Sequence, residues 1–520
     1  MKEFFERLGT LSLLIFLILA KAAVMILTIN YSDIGLGPDE AQYWTWSQDL
    51  SWGYYSKPPG IAWQIALGTY LMGNTELGVR IMSVVIAGVY PLLVYFLAWT
   101  CGLHPKTCFW AGIVMALSPL GVMGSFFAIT DVGAIFFWIL ACLTLTAALN
   151  EQKPPNYIFV GLFIGLGALF KWPVYLLWAF IICMFPFERS LIRRQFLIGV
   201  FVSLLGLLPS FLWNMEHDWV TFRHVFSTLY VPSQATIAAK NGVFQGNFWD
   251  FLGAQVALLS PILFVLLFMS FWVFCKELRD LSPSLRFCGA LSFTLLGLFI
   301  TVSVFKKMQG NWVDFAYPTG IVFLSWYCCE RAVPQIYVWL KGGVALSVLL
   351  CVLVFLLPPL QTHLPFSTPY KINPFKHNLG WPILRNELVA LDFNPEQEFL
   401  FSDKYQMTSL LSFYNPSQTR AYFLNLQGVR KNQFSFWPGM EQEQVGKNGY
   451  FVLSENAPHL EKFNEEFIEK YRLQLSPYFQ AVEFVGIKPL VWIHGWPVKE
   501  AAIFKCMDYN GLKPLDPELF

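Results

Sequence analysis

Charge is what this sequence has least of. Of its 520 residues only 13% are charged, while 56% are hydrophobic. An ordinary soluble domain carries about 25% charged residues, so a single soluble core does not account for the balance. Lys and Arg number 35 and Asp and Glu 34, a formal charge of +1, and no basic surplus marks the chain for nucleic acid. No CxxC pair and no Cys/His metal spacing occurs. Of the 10 cysteines, all but Cys506 fall in or beside apolar segments. A disulfide-built exterior and a zinc site are both unexpected. GxSxG, Walker A, HExxH and GxGxxG contexts are also missing, which leaves soluble-type hydrolases, nucleotide sites and dinucleotide sites without support. No internal repeat is visible, which weighs against a transporter built from duplicated halves.

Long apolar segments are what the sequence has in quantity. They fall near 8–30, 78–100, 108–128, 131–149, 157–170, 172–187, 196–213, 251–275, 287–305, 314–330 and 336–358. A span needs roughly 20 such residues. Ala20-Lys21-Ala22 imitates a signal-peptidase site, but the apolar run resumes through Val24–Leu27, so the first segment reads as an uncleaved helix. Segments 157–170 and 172–187 are short and flank Lys171-Trp172-Pro173. They read either as a tight hairpin or as one kinked helix.

Charge bias decides between the two. With a cytoplasmic N-terminus and a hairpin, the short inside loops carry Lys106, Lys153, Arg189, Arg193, Arg194, Lys276, Arg279, Arg286 and Arg331. The outside loops carry only Lys57, Lys171, Lys306 and Lys307, with Arg80 at a helix start. That is the positive-inside pattern. One kinked helix would place Arg189–Arg194 outside, so the hairpin is preferred. The sequence therefore predicts a polytopic α-helical membrane protein of about eleven helices. Residues 1–358 form the membrane domain, with outside loops at 31–77 and 214–250. Residues 359–520 form an exterior α/β domain, with β-like runs at 398–402, 420–424, 450–453 and 480–485 and helix over 458–472.

The first outside loop, GPDEAQYWTWSQDLSWGYYSKPPGIAW, holds the densest chemistry. Asp39 and Glu40 are adjacent acids, and Lys57-Pro58-Pro59 follows in the same loop. An acid and a cation at the lipid surface suit a substrate with an anionic head and a lipid tail. The plainer alternative is an interfacial belt of Trp44, Trp46, Trp52, Tyr54 and Tyr55 with solvated charges. The short segment 60–73 is expected to lie in the interface. Asp131 opens an otherwise uncharged helix, where it serves the site or caps the helix. Lys171, Lys306 and Lys307 reach the same side, as snorkelling lysines or as phosphate ligands. Lys21 is expected to snorkel or to face the bundle. Glu216-His217-Asp218 and Arg223-His224 read as a solvated loop.

DEAQYW followed by YYSKPPGIAW resembles the first outside loop of lipid-linked glycosyltransferases of the GT-C fold. The branch is the protein O-mannosyltransferase-like one, which includes the aminoarabinose transferases of lipid A. AITDVGAIFFW, with Asp131, matches the later outer-end Asp of those proteins. FKKMQGNWVDFAYP resembles a late loop-helix junction of bacterial members. SDKYQMTSLLSFY and NQFSFWPG resemble parts of the exterior tail. The aminoarabinose branch has an Arg where this chain has Gln42, so phosphate binding is expected to lean on Lys57 and another outer lysine. The resemblance implies a bacterial inner-membrane enzyme that moves a sugar from a polyprenyl-phosphate donor to an exported or membrane-anchored acceptor. A glycolipid such as lipid A is favoured as acceptor, with a protein hydroxyl second. In that scheme Asp39 is the first choice as base, with Asp131 shaping the site and Glu40 the weaker candidate. Lys57 is the first choice for the donor phosphate, with Lys171, Lys306 and Lys307 behind it. Gln42, Tyr43 and Tyr55 line the substrate. No cofactor is required, although paired acids are compatible with a divalent metal. A transporter or flippase of lipid-linked sugars is the alternative.

Overall fold

The computed structural model describes residues 2–230, 246–363 and 369–516. The middle of the expected loop 214–250 therefore lies outside the described residues. Among those described, six helices are long and apolar enough to span a bilayer. They are Glu6–Tyr31, Glu76–Thr100, Thr130–Asn150, Gln195–Glu216, Pro283–Phe305 and Pro334–His363. The first lies in helix α1, Lys2–Tyr31. Two short helices follow it in the first loop, α2, Pro38–Ser47, and α3, Gly60–Met72, before the spanning α4, Glu76–Thr100.

Two expected spans are broken rather than continuous. Segment 108–128 becomes α5, Pro105–Leu117, and α6, Pro119–Phe126, bent by 52°. Segment 251–275 becomes Phe248–Leu259 and Pro261–Glu277, bent by 103°. Both breaks fall at Ser-Pro pairs. Proline lacks the N–H of the helical ladder and drives the residue before it out of the helical region. Ser118 has ψ 152, and Ser260 has φ 85 and ψ 150. These two spans are thus jointed, and counting each bent pair as one gives up to 8 spans among the described residues, against the about eleven expected.

The 157–187 region is a hairpin. Tyr157, at the start of Tyr157–Ala168, has its ring 6.2 Å from that of Trp178 in Leu176–Met184. One continuous helix would separate those positions by roughly 30 Å. The Tyr157 hydroxyl also donates to the Leu191 carbonyl at 2.5 Å. Lys21 faces the bundle, donating to the Gly121 carbonyl at 2.8 Å.

The C-terminal part carries a five-stranded sheet in the order β2-β1-β3-β5-β4. The strands are β1, Glu398–Ser402; β2, Tyr422–Phe423; β3, Asn448–Asn456; β4, Phe479–Ile493; and β5, Trp496–Tyr509. β1 lies parallel to β2 and β3, and β5 runs antiparallel to β3 and β4. Helix is shorter than expected over 458–472: a single turn, His459–Lys462, precedes Glu465–Leu475.

The α/β domain does not hang free. Trp44, Trp46, Tyr54 and Ile61 from the first loop share one buried cluster with Met407, Leu410, Leu411 and Phe413 from the helix Tyr405–Tyr414. Trp46 and Tyr54 are 0% exposed and their rings stack at 4.7 Å. The Tyr414 hydroxyl accepts from Leu36 N at 2.6 Å and donates to Glu76 at 3.1 Å. These aromatics form the floor of the α/β domain, not an interfacial belt. Of the belt residues expected, Trp52 alone is exposed.

Candidate active site

The loop that carries Asp39 and Glu40 is clamped by Glu40 itself. Pro38 opens α2, and Glu40 at the third helical position accepts from Gly37 N at 2.9 Å. Its carboxylate also takes Arg80 Nε at 2.8 Å, Arg80 Nη2 at 2.7 Å and Ala128 N at 3.0 Å. Arg80, fully buried, spends its other donors on the Ile34 and Gly35 carbonyls. Glu40 is thus saturated, and both of its oxygens hold structure. Glu40, the weaker candidate for the base, therefore stands in a structural clamp.

Asp39, its neighbour, has no such clamp. It makes no hydrogen bond or ion pair among the described residues, and it opens onto a cleft of about 580 Å³ between the first loop and the α/β domain. The cleft has an apolar side, with Phe127, Ile129 and Met407, and a polar side, with Lys404, Gln406 and Asn456. The Asp39 side chain is exposed to that cleft. Desolvation raises its pKa above the usual aspartate value, Lys57 pulls it back and Glu40 raises it further.

Lys57 is brought to Asp39 and Asp131 by backbone contacts. Tyr54 N closes a turn onto the Lys57 carbonyl at 3.2 Å, and after Pro58-Pro59 the amide of Gly60 donates to the Leu169 carbonyl at 2.7 Å. A Cβ at Gly60 would lie 2.7 Å from that same carbonyl oxygen, so only glycine permits the approach. The contact ties the Lys57 loop to the hairpin turn that bears Lys171. The Lys57 ammonium has no hydrogen bond or ion pair among the described residues. Burial lowers its pKa, as does Lys171, while Asp131 and Asp39 raise it. An unpaired, half-buried ammonium beside a second cation is a site poised for an anion.

Asp131 does not cap its helix. The cap of α7, Thr130–Asn150, is Ile129, and no side chain bonds there. Asp131 instead takes Lys171 Nζ at 2.6 Å on one oxygen and Asn311 Nδ2 at 3.1 Å on the other. Lys171 is therefore engaged by Asp131, which leaves Lys57 as the uncommitted one of these two lysines. Lys306 follows the helix Pro283–Phe305 as its C-cap residue, with Lys307 next to it. Tyr43 lies in the field of Asp39, Asp131 and Tyr405, and burial holds its hydroxyl protonated far beyond neutral pH. Gln42 is buried in α2.

Several residues of the site were not anticipated. Asn311 and Asp314 come from the FKKMQGNWVDFAYP stretch, and Asp314 is buried near Asp131 and Lys171 with one oxygen unpartnered. His224, expected in a solvated loop, stands in the helix Val220–Tyr230 with its ring centroid 4.9 Å from that of Tyr55. Burial first, then Arg430 and Lys57, push its pKa down to about 4, so it is neutral at pH 7. The α/β domain supplies Tyr405 and Arg430. Among the described residues no three metal-ligating side chains converge.

A jointed helical bundle with its polar groups at one end, under a short-helix loop and an α/β cap, defines the GT-C glycosyltransferase fold. The chain aligns with the crystal structure of ArnT from Cupriavidus metallidurans bound to undecaprenyl phosphate over 94% of this chain and 97% of that one, with a TM-score of 0.61 and 13% identity. The family model for dolichyl-phosphate-mannose-protein mannosyltransferases matches residues 56–213. Lipid A galacturonosyltransferase RgtD of Rhizobium johnstonii is 27% identical over 84% of this chain and 91% of its own. The undecaprenyl phosphate-alpha-4-amino-4-deoxy-L-arabinose arabinosyl transferase of Pseudomonas aeruginosa is 30% identical over 33% of this chain and 35% of its own. The chain therefore has the fold of that ArnT structure and is similar in sequence to lipid-linked glycosyltransferases.

Proposed function

We propose that this protein transfers a sugar from a polyprenyl-phosphate donor to lipid A at the outer face of the bacterial inner membrane. The observation that carries the reading is the pairing of an unengaged carboxylate, Asp39, with an unengaged ammonium, Lys57, at the head of an apolar bundle. The donor phosphate docks on Lys57. As the glycosidic C–O bond breaks, negative charge grows on the phosphate oxygen, and a poorly hydrated ammonium stabilises it most at that moment. Asp39 takes the proton of the acceptor hydroxyl, whose oxygen bonds to the anomeric carbon from the opposite face. A single displacement of this kind inverts the configuration. The raised pKa of Asp39 makes it a stronger base than an aspartate of ordinary pKa. Asp131, fixed by Lys171 and Asn311, orients that lysine beside Lys57.

A galacturonosyl-type hexose is preferred over a pentose, because the similarity to RgtD spans most of both chains and that to the arabinosyl transferase only a third. The charged groups gather at one end of the bundle rather than at its centre, which favours a transferase over a flippase. The N-terminus is assigned to the cytoplasm and the α/β domain to the periplasm. Mass spectrometry of lipid A from cells carrying active enzyme or Asp39→Asn tests the reading. A hexuronate-sized increment that depends on Asp39 supports it. Unchanged lipid A together with a protein that loses a sugar-sized mass contradicts it.

A further inference from the structure

The α/β domain reaches into the site with one strap, residues 425–436, and the strap is built to hold Arg430 still. On one side of Arg430, Asn425 clamps a turn at both ends: its side chain accepts from Val429 N at 3.0 Å and donates to the Val429 carbonyl at 2.9 Å. Gly428 makes that turn with φ 63, a left-handed conformation that favours glycine. On the other side Asn432 and Ser435 clamp a second turn, with Phe434 N on Asn432 Oδ1 at 3.0 Å and Asn432 N on Ser435 Oγ at 3.3 Å. Gln433 then fastens the strap to the first loop by accepting from Tyr55 N at 2.7 Å.

Arg430 has no carboxylate partner among the described residues. Its neighbours are His224, with Nη1 3.5 Å from Nδ1, and the hydroxyl of Tyr405, which also feels Asp39. Tyr55 stands in the same field of Arg430 and Tyr405, and its hydroxyl is buried without a hydrogen-bond partner, the ring being 4% exposed. A buried hydroxyl left unpaired is costly, so this one is arranged for something that arrives.

The charges of the site are thereby divided. Lys171 is committed to Asp131, Lys57 is uncommitted beside Asp39, and Arg430 is uncommitted on a separate element. One phosphate calls for one of these positions. The second calls for another anion on the same substrate, and a guanidinium fork matches a planar carboxylate in two hydrogen bonds. We infer that Arg430, with the Tyr55 hydroxyl, forms a subsite for the carboxylate of an acidic donor sugar, and so determines which sugar is transferred. The inference rests on the transferase reading above and deepens it.

The test uses the full-length protein in lipid nanodiscs with three probes: polyprenyl phosphate alone, the polyprenyl-phosphate hexuronate, and the matching neutral hexose donor. Wild type should favour the hexuronate in kcat/KM. Arg430→Ala should lose roughly 10- to 150-fold on it, the range for a charged hydrogen bond. The same variant should change less than about 3-fold on the neutral donor, and it should bind bare polyprenyl phosphate as wild type does, within the same exposed-site tolerance. Arg430→Lys, which keeps the charge and loses the fork, should fall between. Equal losses on all three probes would show Arg430 holding the phosphate and overturn the assignment. A wild type that uses the two donors equally would also overturn it. If no donor is transferred and polyprenyl phosphate does not bind, the transferase reading itself fails and the subsite falls with it. Arg430 is exposed, so its replacement leaves the core intact.

Discussion

Replacing Glu40 by Gln separates structure from chemistry in the Asp39-Glu40 pair. The Glu40 carboxylate takes four donors: two from Arg80, and the amides of Gly37 and Ala128. Glutamine offers one oxygen in place of two and turns an N–H group toward donors. At least one of Arg80, Gly37 and Ala128 is then left facing a donor, and the buried guanidinium loses its counter-charge. Breaking one partner of a buried pair costs about 3–5 kcal/mol. The orphaned amides are part of that figure and do not add to it. Thermal unfolding in detergent, followed by tryptophan fluorescence, should show a large fall in Tm, with activity lost in proportion to folded protein. A Glu40→Gln variant with wild-type Tm and abolished turnover would refute the reasoning and return Glu40 to the chemistry.

Asp39→Asn should behave oppositely, losing at least ~100-fold in turnover. The folded protein raises the Asp39 pKa, so its stabilising contribution exists at low pH and is lost as pH rises through the folded value. At neutral pH the variant should therefore melt no lower than wild type. Lys57→Ala should weaken polyprenyl-phosphate binding and slow turnover together, with Lys57→Arg keeping part of both; titration of the donor measures this. The pH-rate profile should be a narrowed bell: the acid limb lies above the ordinary aspartate value because Asp39 is raised, and the basic limb below the ordinary lysine value because Lys57 is lowered. Alkaline phosphatase fused to the C-terminus should be active and a cytoplasmic reporter there silent; the reverse would sink the assigned orientation.

The sequence carried the bundle well, since apolar length and Arg bias survive without knowledge of packing. The Tyr157–Trp178 approach has the hairpin geometry that the Arg189–Arg194 cluster demanded. It carried the joints less well. Ser118-Pro119 and Ser260-Pro261 were visible as dipeptides, yet hydropathy reads through a proline, and the 103° turn at Ser260 follows from backbone sterics. Asp39, Lys57 and Asp131 were legible because charge is rare here. The division of labour between Asp39 and Glu40 was not, because it depends on Arg80, forty residues away. The Trp44, Trp46 and Tyr54 cluster looked like an interfacial belt because the same residues serve a belt or a core. Arg430 and His224 lay in stretches with no motif, and only the strap and the helix Val220–Tyr230 bring them to Tyr55. The Gly428 turn beside Asn425 was the signal that could have marked the strap as built.

Transfer itself is the most direct test of the central claim. Purified protein in proteoliposomes, given polyprenyl-phosphate hexuronate labelled in the sugar together with lipid A, should move label onto lipid A. Folded Asp39→Asn and Lys57→Ala should leave the label on the donor. Label that crosses the bilayer still attached to polyprenyl phosphate, at the same rate in all three proteins, would contradict the account.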